Sequence, residues 1–331
     1  MMTRVSIIVC TFDRPESVCS LIDSIDAGRI PVDLPTEVIV VDNSPDGRNL
    51  GVLDRMRTER IVLRYVSEPR QGKCTALNTA LGQARGDIIL LTDDDCRTPS
   101  DWIEEMCRPI ADGRADVVGG GVVIAPQLRR TWMNEIHRVV LLDGMGRIEP
   151  AWRMIGANAA FSRGVLDRVP AFDSELGPAE AGAGEDSLFF AQLREAGFRG
   201  MYAGDSATVV HHFEPRRLSR VGFRGAVEKL GRSRAYIDYH WEHQTTRWPR
   251  LRAFRALLGL WVVRFTHRRS FCGTEGIGPF EFHQLSNIHY FRHVLIQQRR
   301  DRNYARRGLR KLKGIGVPPA SDGRQDQRMH V

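Results

Sequence analysis

The run Asp93-Asp94-Asp95 sets three carboxylates directly behind Asp87-Ile88-Ile89-Leu90-Leu91, a segment that reads as a strand. Adjacent carboxylates at the end of a buried strand repel one another unless a cation or solvent offsets them. Mg²⁺ and Mn²⁺ favour hard oxygen ligands, commonly one or two carboxylates together with substrate phosphates. The triplet therefore suits a divalent ion. A solvated acidic turn leading into the next helix is the plainer alternative, since Thr98-Pro99-Ser100-Asp101 follows. A second pair, Glu185-Asp186, stands before the predicted helix Ser187 to Ala196 and behind the flexible Ala181-Gly182-Ala183-Gly184. Carboxylates at that position can cap the helix. One of them can equally serve as a general base, provided it reaches an attacking hydroxyl by hydrogen bond.

These groups need elements to hold them. Val5 to Cys10 is a short β-branched run, as expected of a strand buried on both faces. Asp13-Arg14-Pro15-Glu16 then carries helix-start signals, and Val18, Leu21, Ile22 and Ile25 follow at helical spacing. Further strands are predicted over Glu37–Val41, Ile61–Val66 and Asp87–Leu91, with a helix marked by Ala76, Leu77, Ala80, Leu81 and Ala84. The alternation predicts an α/β fold: a Rossmann-like, mostly parallel sheet with helices on both faces. Ligands of such sheets bind beyond the C-terminal strand ends. Here those ends carry Thr11-Phe12-Asp13, Asp42-Asn43 and Thr92 to Asp95.

The net charge of +8 is unevenly spread. Residues 213–331 hold 25 Lys/Arg against 9 Asp/Glu, leaving 23 against 31 for residues 1–212. An acidic body thus carries a basic C-terminal third, which reads as helices. A basic region can meet nucleic acid, anionic lipid or a phosphorylated substrate. Nucleic acid is the weaker choice, because no RNP motif, zinc-finger spacing or basic zipper occurs. The six cysteines lack framework spacing and read as reduced thiols of a cytoplasmic protein. The apolar run Val5–Val9 is too short for a signal peptide. Ala256–Val263 is too short to span a bilayer and suits either a surface-lying segment or, as expected here, a core helix.

The first 212 residues resemble a family 2 glycosyltransferase of the GT-A fold. The resemblance rests on Val5 through Pro15, Val40 through Ser44, Gly72-Lys73 through Asn78, Gly86 through Asp95, Gly156 through Phe161, Gly184-Glu185-Asp186 with Leu188-Phe189, and His211-His212. It implies a donor-binding catalytic domain over 1–215; the charge balance marks 216–313 as a basic helical acceptor- or membrane-facing region, and the Pro/Gly/polar composition marks 314–331 as a disordered tail. The resemblance also implies residue roles: Asp93 and Asp95 correspond to the outer aspartates of a DXD motif holding Mn²⁺ or Mg²⁺, with His212 or His211 a further ligand. Thr11 and Asp42 fall where the nucleoside is held, Lys73 where a cation meets the diphosphate, and Asn158 on a turn facing the donor sugar. Asp186 matches the catalytic base, with Glu185 in support. The expected reaction is inverting transfer from a UDP-, GDP- or dTDP-sugar to a saccharide or lipid-linked saccharide, with possible peripheral membrane contact.

Gln244-Thr245-Thr246-Arg247-Trp248 reads Q-x-x-R-W, a motif of processive family members that would line the acceptor entrance; without membrane spans, a chance match is the expectation. Other classes fit less well. A dehydrogenase needs G-x-G-x-x-G after the first strand, where Cys10-Thr11-Phe12-Asp13 stands, and no GxxxxGK[ST] occurs. A nucleotidyltransferase would place a glycine-rich cationic loop there. A non-enzymatic adaptor built on the basic third is the remaining alternative.

Overall fold

The structure, a computed structural model, describes residues 2–47, 49–53, 56, 58–144, 154–177, 182–266 and 273–312. The expected tail from Gly314, together with Ala181 and Cys272, lies outside the described residues. In chain order the first half comprises β1 (Val5–Thr11), α1 (Pro15–Ala27), β2 (Thr36–Asp42), α2 (Leu50–Leu53), β3 (Val62–Ser67), α3 (Lys73–Gln83) and β4 (Ile88–Asp93). Then come β5 (Cys96–Arg97), α4 (Trp102–Ala111), β6 (Val117–Gly119), β7 (Val122–Ile124), α5 (Glu135–Leu141) and β8 (Asn158–Ser162). The remainder is α6 (Glu185–Glu195), β9 (Gly200–Tyr202), β10 (Val209–His211), α7 (Arg220–His240), α8 (Pro249–Thr266) and α9 (Pro279–Gln297).

Seven strands form one sheet in the order β3-β2-β1-β4-β8-β6-β9. It is parallel except that β8 runs antiparallel to both β4 and β6. Strand side chains alternate between faces, and here both faces are apolar. Ile7, Val9, Val38, Val40 and Leu90 join one core under α1 and α4. Ile8, Ile39, Val41, Ile89 and Leu91 join the other, under α3 and α6. Each such side chain contributes about 1.5–3 kcal/mol when buried, so the near-continuous apolar strands are what force a two-sided sheet.

The chain winds from β1 outward to β2 and β3, then returns to β4 on the other side of β1. Register puts Cys10 beside Asp93 and Thr11 beside Asp42. The polar strand ends therefore meet at the point where winding reverses, the usual ligand crevice of such sheets. A smaller sheet, β5-β10-β7, sets His211 opposite Cys96 and so closes the crevice from the far side.

The basic region is helical, as predicted. It packs on the body through Phe213, Leu218, Phe223 and Val227 against Ile124, Leu128 and Ile277, and through Tyr236, Trp241 and Tyr304 against Leu176 and Leu188. The core-helix expectation for Ala256–Val263 is corrected. In α8 the buried positions are Ala253 and Ala256, while Leu257, Leu258, Trp261 and Val262 are exposed. Small alanines let α8 lie close on α9, which leaves its larger apolar side chains outside. No described helix is long and apolar enough to cross a membrane.

Candidate active site

Two helix starts and one strand end build the centre. Lys73 opens α3 behind Gly72, and Glu185 and Asp186 open α6 behind Gly184; both glycines have positive φ (135° and 84°). That backbone turns the first-turn side chains toward Asp93 at the end of β4. Lys73 Nζ lies 2.7 Å from Asp93 Oδ1 and 3.5 Å from Glu185 Oε1. Burial alone would lower the Lys73 pKa, but the two carboxylates outweigh it and hold the ammonium well above its usual value. Burial raises the Glu185 pKa, and Lys73 opposes it. Asp186 accepts from the backbone N–H of Gly156 (3.0 Å) at Oδ2 and from that of Ser187 (2.7 Å) at Oδ1. Asp93, Lys73, Glu185, Asp186, Thr92 and Cys10 line a small cavity of about 10 Å³. Burial pushes the Cys10 thiol up to about 12, which keeps it protonated. Gly184 is pressed against α7: a Cβ there would stand 3.2 Å from Ser233 Cβ and 3.4 Å from Ile237 Cδ1.

Behind Asp93 lies a second charge cluster. Asp94 accepts from Thr11 Oγ1 (2.8 Å) and pairs with Arg14 (3.2 Å). Burial and the neighbouring Asp95 push Asp94 up to about 6. Asp95 pairs with His211 Nε2 and Arg14 Nη1, each at 3.1 Å. Burial would raise the Asp95 pKa, but the hydrogen bond from His211 and the charges of His211, Arg14 and Arg217 hold it well below the usual range. His211 is buried; its Nδ1 finds no partner, and Arg217 Nη1 lies 3.4 Å from its Nε2.

Residues 6–169 match the family model described as glycosyl transferase family 2. The chain carries a family 2 glycosyltransferase domain. It is 28% identical over 107 residues to the uncharacterized glycosyltransferase YwdF of Bacillus subtilis, an alignment covering 32% of this chain and 38% of that one. It is 26% identical over 118 residues to the undecaprenyl-phosphate 4-deoxy-4-formamido-L-arabinose transferase of Pectobacterium carotovorum, covering 35% of this chain and 36% of that one. The matched stretches thus span well under half the length of these relatives. A mannosyltransferase from Pyrobaculum calidifontis, solved in complex with GDP-Man and Mn²⁺, shares the fold with a TM-score of 0.51 and 21% identity, over 90% of this chain and 74% of that one.

Asp93 and Lys73, inside the matched stretch, converge with Glu185 and Asp186, which lie beyond it. Other expected residues are placed differently. Asn158 is not on a turn facing a sugar. It begins β8, fully buried, where its side chain accepts from Trp102 Nε1 (2.9 Å) and donates to the carbonyls of Gly121 (2.8 Å) and Ala207 (2.7 Å). Gly120 leaves room for it, because a Cβ there would fall 2.2 Å from Asn158 Nδ2. The Thr11 hydroxyl is engaged by Asp94. Asp42 is fully buried and accepts from Ser44, Asn49 and Tyr65, so it organises the loop after β2. His212 turns toward Gln127 (3.3 Å) while His211 meets Asp95, so His211 rather than His212 stands at the acidic cluster. No residue of Gln244–Trp248 lines the cavity at Asp186. Arg14 and Arg217 are the cations that sequence reading missed. Only their nearness in sequence to Asp13 and to the histidine doublet pointed to them.

The donor set of Asp93, Asp95 and His211, two carboxylates and an imidazole, fits a divalent ion in ligand type. Among the described residues, no three His, Cys, Asp or Glu side chains are gathered tightly enough to hold one as they stand. Lys73 and Arg14 occupy the carboxylates instead.

Proposed function

We propose that this protein transfers a sugar from a nucleotide-sugar donor to an acceptor hydroxyl, with inversion at the anomeric carbon. The carrying observation is that Asp186 shares one small cavity with the Lys73–Asp93 ion pair. A proton acceptor and a cationic, carboxylate-lined strand end are what a single displacement needs on opposite sides of the reacting carbon. Asp186, held by the Gly156 and Ser187 N–H groups, takes the acceptor proton. Lys73 and Arg14 face the departing diphosphate, and Glu185 keeps Lys73 in place. Such fixed charges, aimed where negative charge develops, are commonly the largest catalytic contribution. Mn²⁺ or Mg²⁺, held by Asp93, Asp95 and His211, would neutralise further charge on the leaving group.

A UDP-, GDP- or dTDP-sugar is the donor class. The mannosyltransferase of the same fold bound GDP-Man and Mn²⁺, which supports this reading. The acceptor is a saccharide or a lipid-linked saccharide, in keeping with the undecaprenyl-phosphate transferase among the relatives. Residues 1–215 would then hold the donor and the basic helices the acceptor. Thermal unfolding with each nucleotide sugar, with and without Mn²⁺, tests the reading. One donor should raise the midpoint in a Mn²⁺-dependent way that grows with its concentration. No shift with any of them would defeat it.

A further inference from the structure

The outer face of α8 is unusual for an exposed helix. Leu251, Phe254, Leu258, Trp261 and Phe265 recur three or four positions apart and so form one stripe. They are 54%, 62%, 53%, 65% and 71% exposed. The opposite face lies on α9, where Ala253 and Ala256 are buried and a Cβ on Gly259 would stand 2.8 Å from Gln284 Oε1. The stripe is therefore surplus to the fold. Its charge setting has a single sign: residues 243–274 contain seven arginines and no Asp or Glu.

At the root of the same helix is a separate cavity of about 460 Å³. Arg234, Arg247, Arg252, Tyr290 and Phe291 are among its lining residues. Arg234 lies over the Tyr290 ring at 5.0 Å and Arg252 over the Phe291 ring at 5.8 Å. Stacking of this kind orients guanidinium groups while leaving their N–H donors for oxyanions. Three guanidiniums meet a single nearby carboxylate, Asp238, which Arg234 approaches at 3.6 Å and to which Tyr290 donates at 2.8 Å.

The geometry points to an anionic membrane surface as the partner of this face, with α8 lying in the plane of the interface and a lipid phosphate seated in the arginine-lined cavity. An apolar stripe bordered by arginines is how an interfacial helix combines acyl-chain contact with attraction to anionic headgroups. Aromatic rings suit that depth, since they present an apolar body to the interface. A second copy of the chain would bring a second set of arginines, Arg247, Arg252 and Arg255 among them, against the first, which charge repulsion opposes. The inference extends the lipid-linked acceptor reading above but stands on α8 and its cavity alone.

Sedimentation of the full chain with phosphatidylglycerol vesicles tests it. The protein should bind these vesicles and leave phosphatidylcholine vesicles free. The W261E/F265E double variant should bind at least about tenfold more weakly at an unchanged thermal midpoint, because both residues are exposed. R247A should erode the preference for anionic over neutral vesicles. Equal vesicle binding by parent and double variant would overturn the inference. So would inorganic pyrophosphate binding without vesicle binding, which marks a free-phosphate pocket, or a parent dimer that W261E/F265E dissociates while vesicles go unbound. Donor-induced stabilisation is read on the same samples. If it is absent while vesicle binding holds, the transferase reading fails and the membrane surface stands.

Discussion

His211 Nε2 faces Asp95 Oδ1 at 3.1 Å across the junction of β5 and β10, both side chains buried. The neighbouring imidazole of His212 points away, toward Gln127. If a divalent ion takes Asp95 as ligand, His211 is the imidazole already turned toward it. His211→Ala should therefore abolish Mn²⁺-dependent stabilisation by the nucleotide sugar, whereas His212→Ala should retain it. Thermal midpoints of the two variants decide the matter, and the reverse pattern would reject the assignment.

Asp186→Asn keeps the shape and the Gly156 contact but removes the proton acceptor. Turnover should fall by about 10²–10⁴-fold, the usual weight of a general base, while donor binding changes little. A variant that transfers sugar at the parent rate would move the base elsewhere, with Glu185 next in line.

Asn158→Leu should cost stability rather than donor affinity. It strands the Trp102 Nε1–H and the carbonyls of Gly121 and Ala207, all satisfied by Asn158. Three unpaired buried groups at about 1–3 kcal/mol each sum to about 3–9 kcal/mol, so urea unfolding should register a loss of at least about 3 kcal/mol. An unchanged unfolding midpoint with weakened donor binding would restore Asn158 to the donor site.

Two buried histidines contribute to the pH dependence of folding. His240 accepts at Nδ1 from the Asn303 N–H (3.1 Å) and approaches Gln297 Oε1 (3.0 Å) through Nε2. His137 accepts at Nδ1 from Asn134 N (3.2 Å) and meets the Ile277 carbonyl at 2.7 Å. One ring nitrogen of each must stay unprotonated, and burial lowers both pKa values below the ordinary 6.5. At these two rings the unfolded chain binds protons that the folded chain refuses, so their contribution is complete above about pH 6.5 and declines as pH falls below it, while Asp94, pushed up to about 6, works in the opposite sense. Urea midpoints at about pH 7.5 and about pH 5.5 should differ in that direction, and His240→Gln should flatten the slope. A slope that His240→Gln leaves unchanged would contradict the assignment.

Much of the fold was legible because β1, β2 and β4 carry near-continuous apolar runs and end in polar clusters. Such runs can only be doubly covered strands, and parallel winding gathers their ends. The place of Asp93 at the end of β4 followed from that, whereas Asp186 was expected only from a helix start and the family resemblance. The histidine doublet was not resolvable in sequence, because it straddles the end of β10: His211 is the last strand residue and His212 lies beyond it, a boundary that neighbouring residue types do not mark. Asn158 was misread because its partners, Trp102, Gly121 and Ala207, are distant in sequence and meet only in the folded core. Arg14 and Arg217 were missed because lone arginines carry no periodicity. In α8 the apolar run was visible, but not which side α9 would cover.

Gly184 has a consequence for how the two ends of the molecule communicate. It bears directly on Ser233 and Ile237, so the first turn carrying Asp186 rests on a helix that also supports α9 and, through it, α8. Asp186, the base we propose, and the outer helices therefore share one mechanical frame. A small tilt of α7 would re-aim the proton acceptor although nothing had touched it, which makes side chains facing Gly184 natural places to tune rate without altering the donor pocket.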